Sequence, residues 1–152
     1  MSSSIVLPPG FGYVAAGLVS TAWVLGWQAM IVVGGHRTKS GVKYPQMYAE
    51  KAEAEASKAA LLFNCAQRAH QNTLEHMPLI LVTTLVTAMR YPVFAGYACG
   101  LWALSRVLYT LGYTTGDPVK RNTRGGILGE LPLFGLLFGA TYTAYDLLRS
   151  SA

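Results

Sequence analysis

Charge is scarce in this chain, and that scarcity excludes most soluble folds. Only 12% of its 152 residues are charged, about half the share usual for soluble domains, while 52% are hydrophobic. Mean hydropathy is positive, at +0.33. Lipid is therefore the expected solvent. The two cysteines, Cys65 and Cys99, have neither CxxC nor metal-ligand spacing, so no disulfide framework and no zinc site is indicated. His70 and His76 lack the HxxxH or HExxH relation to a carboxylate, and no metal is expected. The net charge of +5 comes from short basic segments between apolar runs, without a basic stripe interleaved with aromatics, which argues against nucleic acid. The segment MSSSIVLPPG has no basic n-region and precedes an apolar run too long for a cleaved signal, so a retained signal-anchor is expected. The sequence ends in no retention tetrapeptide or lipidation box.

The length, 152 residues, fits a single domain over 1–152. No charge interrupts Phe11 to Gly35, and 25 residues cross about 30 Å of hydrocarbon. The next apolar run, Met77 to Met89, has only 13 residues and spans only if the helix extends back through Glu75, Asn72 and Arg68. A third run follows Tyr91-Pro92 and carries Arg106 as its only charge before Asp117. The fourth includes Glu130 and Pro132 near its start, with Pro132 kinking or opening the helix proper. The expected fold is an all-α membrane protein, an antiparallel bundle of four transmembrane helices at about 11–35, 60–89, 93–116 and 126–148.

Arg37, Lys39, Lys43, Lys51 and Lys58 occupy the first loop, and Lys120, Arg121 and Arg124 the third. The positive-inside rule places both loops in the cytosol and both termini in the lumen. AEKAEAEASKAA reads as a solvated, alanine-rich helical approach to the second span.

At 100° per residue, Arg68, Asn72 and Glu75 share one side of the second helix, with Asn64 a turn earlier and His76 at the edge. Trp102, Arg106, Tyr109 and Tyr113 share one side of the third. A charge inside a span costs about 2.5–3.5 kcal/mol on insertion scales, so each needs a partner. Arg106 reads as a structural ion pair with Glu75 or Glu130. For Arg68 and Glu75, the crowding of polar groups favours a ligand.

Glutathione suits this inventory, with two carboxylates for arginine, an ammonium for Glu75, peptide groups for asparagine and tyrosine, and a thiol to be ionised. A guanidinium or ammonium at Arg121 or Lys120 raises the thiolate fraction of a thiol whose free pKa is about 8.5. A phospholipid headgroup or a nucleotide fits the same residues. Cys65 reads as buried packing.

The blocks VKYPQMY (Val42 to Tyr48), FNCAQRAHQNTLE (Phe63 to Glu75) and SRVLYTLGYTTGDPVKRNTRGG (Ser105 to Gly126) resemble the membrane-associated proteins in eicosanoid and glutathione metabolism, the MAPEG family, and within it most closely the microsomal glutathione S-transferases. The resemblance implies a homotrimer of four-helix units with glutathione, a co-substrate, in clefts between subunits. It implies glutathione contacts at Arg68, Asn72, Glu75, Tyr109 and Tyr113. Arg37 and His70 would come from the neighbouring subunit, and His76 stands where the leukotriene C synthase branch has tyrosine. Arg121 is the implied thiolate-stabilising residue, with Lys120 as its alternative, and Arg37 joins Arg121 in the catalytic set. The implied activity is conjugation of glutathione to lipophilic electrophiles and reduction of lipid hydroperoxides. The endoplasmic reticulum is the implied membrane, with the outer mitochondrial membrane as the alternative. A non-catalytic lipid-binding or scaffold protein of the same fold is the competing reading.

Overall fold

The computed structural model describes residues 7–151. The signal-anchor reading falls partly on residues 1–6, outside the described residues. The described chain is built from helices and turns. The helices are α1 (Phe11–Ser40), α2 (Lys51–Ala56), α3 (Lys58–Ala88), α4 (Pro92–Tyr113), α5 (Lys120–Thr123) and α6 (Gly126–Ser151).

Local sequence sets the boundaries. α1 runs five residues beyond the expected end and contains a π-helical turn over Trp27–Val33; it stops at Gly41, whose φ of 73° suits a residue without Cβ. The alanine-rich approach is helical but broken. Ser57 takes an extended conformation between α2 and α3, and its hydroxyl accepts from the Ala60 amide at 3.4 Å. α3 is 31 residues long and continues through Pro78, although proline removes one helical hydrogen bond. Pro92 opens α4, a position where its missing N–H costs nothing. α4 ends at Tyr113, three residues short of expectation. In α6, a 3-10 turn over Gly126–Gly129 leads into an α-helix from Glu130, so Pro132 falls in the first turn, where amides lack intrahelical partners.

Two of these helices, α1 and α6, are both long and apolar enough to cross a membrane. α3 and α4 have the length without the apolarity, because the polar residues of the candidate site interrupt them. The side-chain distribution suits lipid. Trp23, Met30, Leu131, Phe138 and Leu148 are each at least 70% exposed, while alanines and threonines such as Ala66, Ala69, Ala95, Thr73, Thr84 and Thr110 are buried. Small and hydroxylated residues inside, with large apolar ones outside, are what helix contacts need when the surroundings are already apolar.

α4 packs against α1, α3 and α6, and α3 also contacts α1 and α6. The α1–α4 crossing depends on Gly96, where a Cβ would come within 2.3 Å of the Tyr13 backbone. Tyr13 and Tyr97 stack beside it, with ring centroids 5.2 Å apart. At the same end Arg90 pairs with Asp146 at 3.0 Å. The basic segments after α1 and α4 gather at the opposite end, where Gly116 lies against Leu62.

Candidate functional site

At that basic end a cavity of about 290 Å³ opens between α3, α4, α5 and the start of α6. Arg68, Asn72 and His76 line it from α3. Arg106, Tyr109 and Tyr113 line it from α4, Arg121 and Asn122 from α5, and Gly126 and Glu130 from α6. The helical spacing read from the sequence explains the first two walls, since residues four or seven apart share a helix face.

The α5 wall is set by close packing. A Cβ at Gly112 would lie 2.2 Å from the Lys120 carbonyl oxygen, and one at Gly126 would lie 2.0 Å from that of Arg121. Two glycines thus let the short α5 backbone sit between α4 and α6. Its Arg121 Nη1 donates to the Pro118 carbonyl at 2.9 Å, and the guanidinium lies 5.4 Å from the Tyr113 ring centroid. Lys120 instead pairs with Asp117 at 3.7 Å, and it is not part of the cavity lining.

On α3, Arg68 Nη1 donates to Glu75 Oε1 at 2.8 Å, with both side chains over 40% exposed. Such a pair is weak in stability terms and readily opened by a ligand. His76 Nδ1 contacts the Asn72 carbonyl oxygen at 2.8 Å, and its ring lies 6.5 Å from that of Trp102.

Arg106 differs from expectation. It is 4% exposed, yet no carboxylate lies within 4.0 Å among the described residues. Its Nη2 donates to Asn72 Oδ1 at 2.7 Å and its Nε to Thr73 Oγ1 at 3.1 Å, and the Tyr109 ring centroid is 3.9 Å away. Neutral acceptors and aromatic faces therefore replace the expected ion pair. Glu75 is engaged by Arg68 instead.

Asn64, placed by spacing on the polar stripe, also has another task. Its amide accepts from the Ala49 N–H at 2.8 Å and donates to the Ala49 carbonyl at 2.9 Å, clamping the first loop to α3. Tyr48 donates to Gln71 in the same clamp. Burial raises the Tyr48 phenol above its ordinary pKa, while nearby Arg68 pulls it down.

Arg37, His70 and Glu75 are not among the residues that line the cavity within one chain, although Glu75 is paired with Arg68, which does. Arg37 Nη1 donates to the Gln46 carbonyl at 2.8 Å, and its guanidinium lies 4.2 Å from the Tyr44 ring centroid and 4.5 Å from that of Phe63. Arg37 Nε and His70 Nδ1 are buried without a hydrogen-bond partner among the described residues.

Spacing alone missed Asn122, Gly126 and Glu130 as cavity residues. The single carboxylate near the start of an apolar run was the signal for Glu130; Asn122 has none. A family model described as the MAPEG family matches residues 13–142.

Proposed function

Starting from the fact that this membrane protein belongs to the MAPEG family, we propose that it is a glutathione transferase with glutathione peroxidase activity, of the type 3 microsomal kind. The observation that carries this reading is the convergence of Arg68, Asn72, Tyr109, Tyr113 and Arg121 from three helices on one cavity. Three guanidiniums line it, those of Arg68, Arg106 and Arg121, to match the two carboxylates and one thiolate of glutathione. Glu75, paired with Arg68 on the same helix, receives the ligand ammonium when that pair opens.

Arg121 is the thiolate-stabilising residue in this proposal. Its guanidinium favours the charged form of the sulfur and lowers the thiol pKa, which increases the nucleophile present at neutral pH. The Tyr113 ring lies beside that guanidinium, 5.4 Å from it at the centroid. The thiolate then attacks the carbon of an aryl halide, forming the C–S bond as halide leaves, or attacks a lipid hydroperoxide oxygen, breaking the O–O bond to give the alcohol and a glutathione sulfenic acid, which a second glutathione converts to the disulfide and water. Apolar clefts along α4 and α6, lined by Leu101, Leu104, Leu108, Leu128 and Leu131, offer room for the lipophilic partner beside the same wall.

The proposed assembly is a homotrimer of single-domain, four-span subunits in the endoplasmic reticulum, with Arg37 and His70 of each copy completing the neighbouring site. The test is ultraviolet absorbance of glutathione thiolate on mixing with the detergent-purified protein near neutral pH. A thiolate signal with turnover of an aryl halide or a lipid hydroperoxide is expected. Its absence overturns the enzyme reading in favour of a lipid-binding scaffold, for which the Arg68–Glu75 pair would be purely structural.

A further inference from the structure

We propose that Gln28 is a positioning residue for this cavity, fixing the spacing of its α3 and α4 walls and, through Thr73, the orientation of Arg106. The inference rests on the glutathione reading and deepens it. Gln28 lies outside the cavity lining and is completely buried, in the π-helical turn of α1. π turns inside α-helices occur frequently at functional positions.

Gln28 Nε2 donates to Thr73 Oγ1 on α3 at 3.0 Å and to Thr110 Oγ1 on α4 at 2.7 Å. Both threonines spend their own protons elsewhere, Thr73 on the Ala69 carbonyl at 3.1 Å and Thr110 on the Arg106 carbonyl at 2.7 Å. Each therefore presents only lone pairs, and residue 28 must donate twice. An amide nitrogen does this with one group. One NH₂ thus sets the distance between two helices, next to Asn72 on one and Tyr109 on the other.

The same threonine reaches the cavity. Thr73 Oγ1 also accepts from Arg106 Nε at 3.1 Å, so the hydroxyl donates once and accepts twice. Arg106 Nη2 on Asn72 supplies the second point that holds the guanidinium plane. The arrangement is costly, because Gln28 Oε1 is buried without a partner among the described residues. An apolar side chain of similar length would pack without that cost. Packing does not account for glutamine here, and positioning does.

Gln28→Met in the full-length protein tests this. The thermal midpoint is expected to hold or rise, while the calorimetric glutathione Kd and the glutathione KM rise about fivefold, the size of one lost hydrogen bond. The kcat at saturating glutathione should stay within about twofold, since the thiolate-stabilising group is untouched. Thr73→Val should reproduce the binding loss and Thr73→Ser should restore it, a comparison that stands even if Gln28→Met does not fold. The Gln28→Met, Thr73→Val double variant should lose less than the sum of the two single losses, because each single variant already removes the Gln28–Thr73 bond. Unchanged glutathione affinity in the single variants overturns the proposal, as does full additivity or a binding loss that tracks lost thermal stability. Wild-type protein that binds no glutathione overturns the functional reading as well; wild-type binding with unaltered variants overturns this inference alone.

Discussion

The guanidinium of Arg121 lies 5.4 Å from the ring centroid of Tyr113, so the short helix after the third loop and the end of α4 meet as two sides of one corner. Lys120, next in sequence, points its ammonium to Asp117 instead. Two adjacent cations thus have separate tasks. A guanidinium also keeps its charge and offers more donors than an ammonium.

Arg121→Ala is therefore expected to lower kcat about a hundredfold, the scale for losing a donor aimed at developing charge, with a smaller change in glutathione Kd. Because Arg121 favours the ionised sulfur, its loss should move the thiolate titration toward higher pH, toward the free value of about 8.5. Lys120→Ala should leave that titration in place. Absorbance titrations of the three proteins with glutathione, followed by steady-state kinetics, measure both effects; a larger shift in Lys120→Ala would transfer the role.

The corner depends on glycine. Gly112→Ala places a methyl carbon 2.2 Å from the Lys120 carbonyl oxygen, well inside contact distance. α5 must move, and overpacking of this kind costs typically about 1–3 kcal/mol. The variant should melt earlier and lose thiolate stabilisation. Gly100→Ala, which would meet nothing within 4 Å, should change neither and serves as its control.

The Arg68–Glu75 pair gives a different pattern. Both side chains are over 40% exposed, so the pair adds little to stability. Glu75→Gln and Arg68→Gln should each keep the wild-type melting profile yet weaken glutathione binding in calorimetry. A melting temperature that falls with affinity unchanged would make the pair structural and remove Glu75 from the ammonium-binding role.

How far the sequence reached depends on the distance between partners. Arg68, Asn72 and Glu75 were legible as one side of a helix, with His76 at its edge, because a helix fixes their relative angles; of these, Arg68, Asn72 and His76 line the cavity and Glu75 does not. Tyr109 and Tyr113 followed by the same reasoning, α1 was legible from its uninterrupted apolar run, and α6 from its predominantly apolar one. What spacing could not give was which polar residue meets which across the fold. Asn64 shares the helical angle of the stripe but spends its amide on Ala49, fifteen residues away. Arg106 finds Asn72 and Thr73 rather than a carboxylate, and Gln28 joins residues 45 and 82 positions distant. The π turn holding Gln28 has no signature in the composition of WQAMIVV, whose apolar character is equally compatible with an ordinary helical turn.

The last prediction concerns Arg37, which bonds to loop carbonyls and lies between Tyr44 and Phe63 while its Nε remains buried and unpartnered. Under the composite-site reading, one copy supplies Arg121 and its neighbour supplies Arg37. Arg37→Ala and Arg121→Ala proteins should then each be inactive alone. Co-expressed in equal amounts, a site regains both arginines only when an Arg37→Ala copy supplies Arg121 beside an Arg121→Ala copy supplying Arg37. Random assembly into a closed three-copy ring makes that probability one half times one half, about a quarter of wild-type activity, and about a third once only mixed rings are selected, since each of those holds one such site in three. If both arginines served the same copy's site, co-expression would restore nothing. Hydroperoxide turnover by the co-expressed protein, purified through two distinguishable tags to select mixed assemblies, separates the two arrangements, because only shared sites can produce activity from two inactive parents.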